Sequence, residues 1–212
     1  MRGVIAGYAE VLGRLGVDYE LLLITNGCTD DSERIARDLA RESTAVRTLN
    51  LDRGGWGRSV RAGLAEVRGT TVCYANSART TPEMLALTLS YSRAYPEVVV
   101  KANRKVRDSR RRRLGSLLYN LECRALFDLP VWDVNGTPKV FPRGFDALLT
   151  LERDDDLIDA EFLAVCKEEG YPIIEVPVLA TTRHGGSSTT GYRSALLMYL
   201  GALQLKRQRA PR

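Results

Sequence analysis

The residues able to do chemistry lie in a few short stretches of the chain. DDDLIDAEF (154–162) carries Asp156, Asp159 and Glu161, carboxylates of the kind that take a proton from a hydroxyl in general-base catalysis. On one helix, positions two apart diverge by about 200°, so Asp159 and Glu161 cannot both face one site. The same cluster also suits a helix start, where acids complement the dipole. Asp133 and Asn135 precede Gly136 in a tight turn, which can reach into a pocket or serve only its own backbone. Arg79, Arg104, Arg107 and Arg183 follow apolar runs, where a guanidinium can bind phosphate oxygens two at a time. Gly54, Gly55 and Gly57 allow close backbone approach to an anion before a helix. Trp56 among them suits packing or stacking. His184 is the only histidine and has no second metal ligand in spacing.

These residues need elements to hold them. Helical spacing of Val4, Ile5, Tyr8, Val11, Leu12 and Leu15 predicts a first helix, and YELLLITN (19–26) predicts a buried parallel strand. Helices follow to about Arg41, over Val60, Leu64 and Val67, and over 82–93, 109–127, 142–149, 157–169 and 192–206. Strands are predicted at 45–51, 70–75, 97–103, 132–141 and 172–182, the last near a sheet edge because of its prolines. Alternating strands and helices imply a single α/β domain over 1–212, with a mostly parallel sheet flanked by helices.

Composition narrows the partners. The net charge is +5, and its excess gathers in NRKVRDSRRRR (103–113) and LKRQRAPR (205–212), segments suited to a solvated face or to anionic partners. Regions 104–127 and 192–212 are expected to form basic helices at a membrane surface. Nucleic acid is not expected as a partner, since no recognised nucleic-acid-binding module accompanies the charge. The four cysteines are far apart and form no CxxC, which predicts free buried thiols in a reducing cytoplasm. No apolar run is long enough to span a membrane. A cytoplasmic location is expected, with peripheral attachment at the inner face of the membrane.

Several segments, in order, carry a resemblance. ITNGCTDDS (24–32) resembles the "DDGSTDGT" turn of family 2 glycosyltransferases, and LNLDRGGWGRSVRAGLAEVRG (49–69) resembles their glycine-containing segment. CYANSARTTPEML (73–85) stands where they carry "FLDADLQHPPEVL". NRKVRDSRRRRLGSLLYNLECRALFDLPVWDVNGTPKVFPRGF (103–145), DDLIDAEFLAVCKEEGYPIIEVPV (155–178) and RHGGSST (183–189) are similar to later family segments. The branch most similar is that of the dolichyl- or polyprenyl-phosphate sugar synthases. The resemblance implies a GT-A, Rossmann-like nucleotide-diphosphosugar transferase fold. It also implies inverting transfer of a sugar from a nucleoside-diphosphate donor to a lipid-linked phosphate acceptor. Donor and phosphate contacts are implied at Asn26, Asp30, Gly55, Ser77, Arg79, Arg104 and Arg183. Acceptor or lipid-phosphate contacts are implied at Arg113, Asn120, Asn135, Lys139 and Ser187, and catalytic roles at Asp159, Glu161 and Asp133.

Two departures qualify these expectations. Met1 falls inside the helix that follows the family's first strand, so an inner strand is expected to be missing from the sheet. The two metal-binding aspartates of "DAD" fall on Ala75 and Ser77, Arg79 replaces the following glutamine, and Asn26 replaces an aspartate. Mg²⁺ and Mn²⁺ prefer anionic oxygen ligands, so no metal site is expected, and arginine is expected to neutralise the leaving diphosphate. The rival expectation is a non-catalytic binding or scaffold protein that keeps the fold and has lost the donor site.

Overall fold

The computed structural model describes residues 1–105, 110–179 and 192–209, with the backbone alone at 110–114 and 192–196. The elements follow the predicted alternation. They are α1 (Arg2–Arg14), β1 (Leu21–Asn26), α2 (Ser32–Glu42), β2 (Val46–Leu51), α3 (Trp56–Glu66), β3 (Thr71–Tyr74) and α4 (Pro82–Ala94). Then come β4 (Val99–Arg104), α5 (Arg110–Phe127), β5 (Lys139–Pro142), α6 (Ile158–Glu168), β6 (Ile173–Val178) and α7 (Tyr192–Arg209). Local chemistry sets the starts. Thr81 caps α4 by accepting from the Met84 N–H at 3.2 Å, with Pro82 in the first turn. Ahead of α6, the Asp155 carboxylate accepts from the Leu157 N–H at 3.1 Å. Two predicted elements shrink. The strand expected over 132–141 pairs only from Lys139, because the residues before it form a pinned loop, and the helix expected over 142–149 is a short 3-10 turn, Asp146–Leu149.

The strands form two sheets. β1 and β2 pair in parallel, and β3, β5, β4 and β6 form the second sheet in that order. β5 runs antiparallel to both β3 and β4, while β4 and β6 are parallel, so all strands of this sheet but β5 run one way. β6 lies at the edge, as its prolines predicted. The main core fills the space between this sheet, α5 and α6, with Phe141, Leu148, Ile158, Phe162 and Leu163 fully buried.

Among the described residues β1 has no partner on its second edge, and neither has β3. The expected buried strand therefore differs from what is seen: Leu21 to Ile24 are only half-buried, and of β1 only Thr25 is buried. The cause is a missing neighbour between the two sheets. Cys73 opens onto that space, yet protein surrounds it closely enough to push its thiol up to about 12. All four cysteines are free. Cys123 and Cys166 are buried as expected, whereas Cys28 and Cys73 are exposed.

Candidate functional site

The carboxyl ends of β1, β3 and β4 converge with the start of α3 and the loop before α6. In an open α/β sheet this is where ligands bind. Asn26 closes β1, and its side-chain amide donates to the Gly55 carbonyl (3.1 Å) and to the Ser59 hydroxyl. Gly55 adopts φ 146°, a conformation that L side chains rarely adopt, and a Cβ there would meet the Asp154 carbonyl. The start of α3 is docked on the acidic loop. The Arg58 N–H donates to the Asp154 carbonyl at 3.0 Å, and the Arg58 and Arg61 guanidiniums pair with the Asp154 carboxylate. The glycine-rich segment therefore packs against this loop, which corrects the expectation that it forms an open anion cradle at Gly55.

Asp159 is the centre of a buried network. One carboxylate oxygen accepts from the Trp56 indole N–H at 3.0 Å, the other from the Tyr74 hydroxyl at 3.0 Å, and Lys139 forms an ion pair with it. Lys139 is fully buried and lies against the Tyr74 and Phe162 rings. Burial pulls its ammonium down to about 8, against the opposing pull of Asp159. Tyr74 is pushed well above the usual phenol range by burial and then by the Asp159 charge. Two expectations change here. Asp159, expected to be catalytic, has its oxygens committed to three donors and organises this network. Lys139 is enclosed behind Tyr74, so it cannot touch an acceptor phosphate in this arrangement.

Glu161 points elsewhere, as the i,i+2 spacing predicted. It is 2% exposed and accepts from the Glu152 and Arg153 N–H groups, clamping the loop on its far side next to Arg209 of α7. The carboxylate expected to be catalytic is thus engaged by loop amides. Asp133 is likewise buried and grips Arg104 two ways, at 2.8 Å from Nε to Oδ2 and 2.8 Å from Nη2 to Oδ1. A carboxylate and a guanidinium so matched hold each other. The expected catalytic role of Asp133 and the expected phosphate contact of Arg104 thus become one structural pair. Glu175 completes this region by pairing with the fully buried Lys101 at 2.9 Å and accepting from Asn103, Trp132 and Asp133 N–H groups. Burial pushes the Glu175 carboxyl up, but Lys101 and these donors outweigh it and hold the group below the usual glutamate range. Lys101 and Glu175 face each other in register on β4 and β6; a lysine and a glutamate inside two apolar runs were the available signal for a buried pair.

The remaining expected residues divide. Ser77 is exposed at the tip of β3 and, with Trp56, Ser59 and Ala75, lines the mouth of the central cavity. Arg79 is half-buried in the turn after β3, its N–H donating to the Asn76 carbonyl at 2.9 Å. Asp30 is exposed and accepts from the Ser32 N–H, a local turn bond that lowers its pKa. Asn120 is buried on α5 and accepts from the Val134 N–H. Asn135 keeps a buried side-chain oxygen without a hydrogen-bond partner among the described residues. Arg183, His184 and Ser187 lie outside the described residues, as does the side chain of Arg113. Asp156, the first of the three candidate carboxylates of 154–162, is the one without such commitments. Half-buried, it shows no side-chain partner among the described residues. Burial first, then Asp159 and Asp155, raise its pKa.

These residues do not fit a divalent cation at the β3 tip. Ala75 offers no ligand, the Ser77 hydroxyl is neutral, and Asn26 is spent on Gly55 and Ser59. Among the described residues no three His, Cys, Asp or Glu side chains gather to hold a metal ion. Among them, too, no helix is long and apolar enough to cross a membrane.

Residues 8–146 match the family described as glycosyl transferase family 2, more than half of the chain. No curated protein sequence matches. Among solved structures, a protein described as a mycobacterial protein aligns with 98% of this chain and 72% of its own, at 17% identity and a TM-score of 0.71. Glucosyl-3-phosphoglycerate synthase from Mycobacterium tuberculosis, in complex with Mn²⁺, uridine diphosphate and phosphoglyceric acid, aligns over 99% of this chain and 75% of its own, at 17% identity and a TM-score of 0.71. The same synthase with uridine-diphosphate-glucose aligns over 97% and 74%, at 16% identity and a TM-score of 0.67. At such identities the likeness speaks for the fold, which is the GT-A glycosyltransferase fold. The family match covers β1, the start of α3 and the tip of β3, and on it the chain belongs to glycosyl transferase family 2.

Proposed function

We propose that this chain transfers a sugar, with inversion, from a nucleoside-diphosphate sugar to the phosphate of a polyprenyl phosphate or a related acceptor. The observation that carries the reading is the family match over residues 8–146, which spans the strand tips where a donor would lie. The synthase that shares the fold is described in complex with Mn²⁺, uridine diphosphate and phosphoglyceric acid, which favours a nucleotide donor and a phosphate-bearing acceptor here. A phosphate oxygen is already a nucleophile, so no general base is required for its attack. This agrees with the commitment of Asp159, Glu161 and Asp133 to structural partners. Charge on the departing diphosphate falls to Arg79 in the turn after β3, and the family resemblance adds Arg183, which lies outside the described residues.

A lipid acceptor is supported by the helix pair α5 and α7. The Tyr199 hydroxyl donates to the Gly115 carbonyl at 2.8 Å, and the Tyr119 and Tyr199 rings meet edge-on at 5.9 Å. Leu117, Leu118 and Leu121 of α5 and Leu197, Leu200 and Leu203 of α7 remain exposed. Their helices begin and end in the arginine- and lysine-rich stretches. Exposed leucines beside basic residues suit the boundary of an anionic membrane, on the cytoplasmic face.

The test is a transfer assay with a panel of nucleotide sugars and two acceptors, polyprenyl phosphate in anionic vesicles and soluble phosphoglycerate. Sugar appearing on the lipid phosphate is the expected result. Sugar on phosphoglycerate alone would replace the acceptor, and nucleotide binding without transfer to either would favour a binding protein that has lost catalysis.

A further inference from the structure

The acidic loop ahead of α6, residues 152–157, is held from two sides. Its front carries the start of α3. The Asp154 carbonyl accepts from the Arg58 N–H at 3.0 Å, and a Cβ on Gly55 would come within 2.9 Å of the same carbonyl. A Cβ on Gly57 would collide with the Arg153 and Asp155 carbonyls. Loop and helix start therefore touch main chain to main chain, with no slack between them. Gly55 in turn accepts from Asn26 at the tip of β1, and Trp56 lines the mouth of the candidate site. A displaced loop displaces that wall of the site.

Behind the loop stands α7. Leu157 fills the space that a side chain at Gly201 would take, and Ala202 and Leu205 are buried in the same core. One turn beyond Leu205, the Arg209 Nε donates to both oxygens of Glu168, at 2.9 and 3.0 Å, and its Nη1 lies 3.7 Å from Glu161. Glu161 is the carboxylate that accepts from the Glu152 and Arg153 N–H groups, at 3.0 and 2.9 Å. A carboxylate buried as deeply as Glu161 is costly without a cation beside it. Among the described residues, Arg209 is the one cation within ion-pair distance. A cleft of about 580 Å³, lined by Glu152, Gln208 and Arg209 among others, opens there. Ion pairing, more than packing, fixes this end of α7.

We propose that Arg209 is a positioning residue for donor binding. It neutralises Glu161, Glu161 holds the backbone at 152–153, and that backbone seats the start of α3 at the mouth of the site. The helix placed above on the acceptor side thereby sets the shape of the donor side. Movement of α7 at an acceptor or a membrane reaches Trp56 and Asn26 through the acidic loop. By linkage, a bound donor tightens the hold of the loop on α7 by the same factor. The donor part of the proposal rests on the transfer reading above; the coupling of α7 to α3 does not.

Residue-resolved amide exchange tests the coupling without any ligand. Arg209→Gln should speed exchange at the Glu152, Arg153 and Arg58 amides on the order of fivefold or more. The Ala102 amide, which bonds the Pro138 carbonyl, should keep its rate. Arg209→Lys retains the charge and should restore most of the protection. Glu168→Gln, at the exposed end of the same ion pair, should reproduce part of the effect by loosening Arg209. Unchanged exchange at the three amides would overturn the proposal. So would an equal rise at Ala102, the mark of a general loss of stability. If Arg209→Gln does not fold, Glu168→Gln decides by the same readout. The second arm titrates uridine-diphosphate-glucose. Where the wild type binds it, Arg209→Gln should weaken binding about five- to tenfold and leave turnover at saturating donor within about twofold. Equal affinity would overturn the link to the donor mouth. If the wild type does not bind it, the three amides still decide the coupling of α7 to α3, and the donor reading falls on its own.

Discussion

Replacing Lys139 by methionine should destabilise the protein more than any change at its surface. Lys139 is fully buried, and its partner Asp159 is 3% exposed. Removing the ammonium leaves Asp159 with the Trp56 and Tyr74 donors only, at 3.0 Å each. Two neutral donors do not offset a buried carboxylate, and breaking such a pair costs about 3–5 kcal/mol. For a chain of this size each kcal/mol lowers Tm by roughly 2–4 °C, so a fall of about 6–20 °C is expected. Thermal unfolding followed by tryptophan fluorescence would measure the Tm, and urea unfolding the free-energy change. Replacing both partners, Lys139→Met with Asp159→Asn, should be milder than the sum of the single changes by about 1–3 kcal/mol. A single substitution costing under about 1 kcal/mol, or strict additivity in the cycle, would refute the view that this pair organises the site.

Two further outcomes follow from the acidic groups. Glu175 has its carboxyl pKa below the ordinary value, so its stabilisation is present above that ordinary value and is lost as pH falls through the folded one. Glu175→Gln should destabilise the protein at neutral pH by about 2–4 kcal/mol and flatten the acid limb of a Tm-against-pH curve; an unchanged acid limb would contradict the pairing with Lys101. Asp156 has its pKa raised, so its ionisation opposes folding as pH rises through that region. Asp156→Asn should therefore match or exceed wild-type stability at pH 7, and with a phosphate acceptor it should keep turnover within a few-fold. A loss of about 10²–10⁴ in turnover with stability intact would instead identify Asp156 as a base acting on a hydroxyl acceptor.

The order of strands and helices was legible because each run carries its own period and caps, as at Thr81 and Pro82. The divergence of Asp159 and Glu161 was legible from helix geometry alone. Their partners were not, because Glu161 is claimed by N–H groups of a loop and Asp159 by Trp56, 103 residues away. Arg104 and Asp133 each looked free for a ligand, yet they are 29 residues apart in sequence and meet as a pair. Single-residue chemistry does not show when a charge is already neutralised by another element. The apolar run 19–26 does not by itself show that its strand lacks a neighbour; only the family resemblance implied a missing inner strand. That fact belongs to the sheet, and Leu21 to Ile24 read as buried because their sequence suits burial.

The most direct test of the donor site is a calorimetric titration of the chain with a panel of nucleoside-diphosphate sugars, with and without Mn²⁺, for wild type and Arg79→Ala. Binding at the strand tips with little effect of Mn²⁺, weakened about 10–100-fold by Arg79→Ala, is the predicted result. A strict requirement for Mn²⁺ would contradict the charge-replacement reading, and no binding of any donor would contradict the transferase assignment.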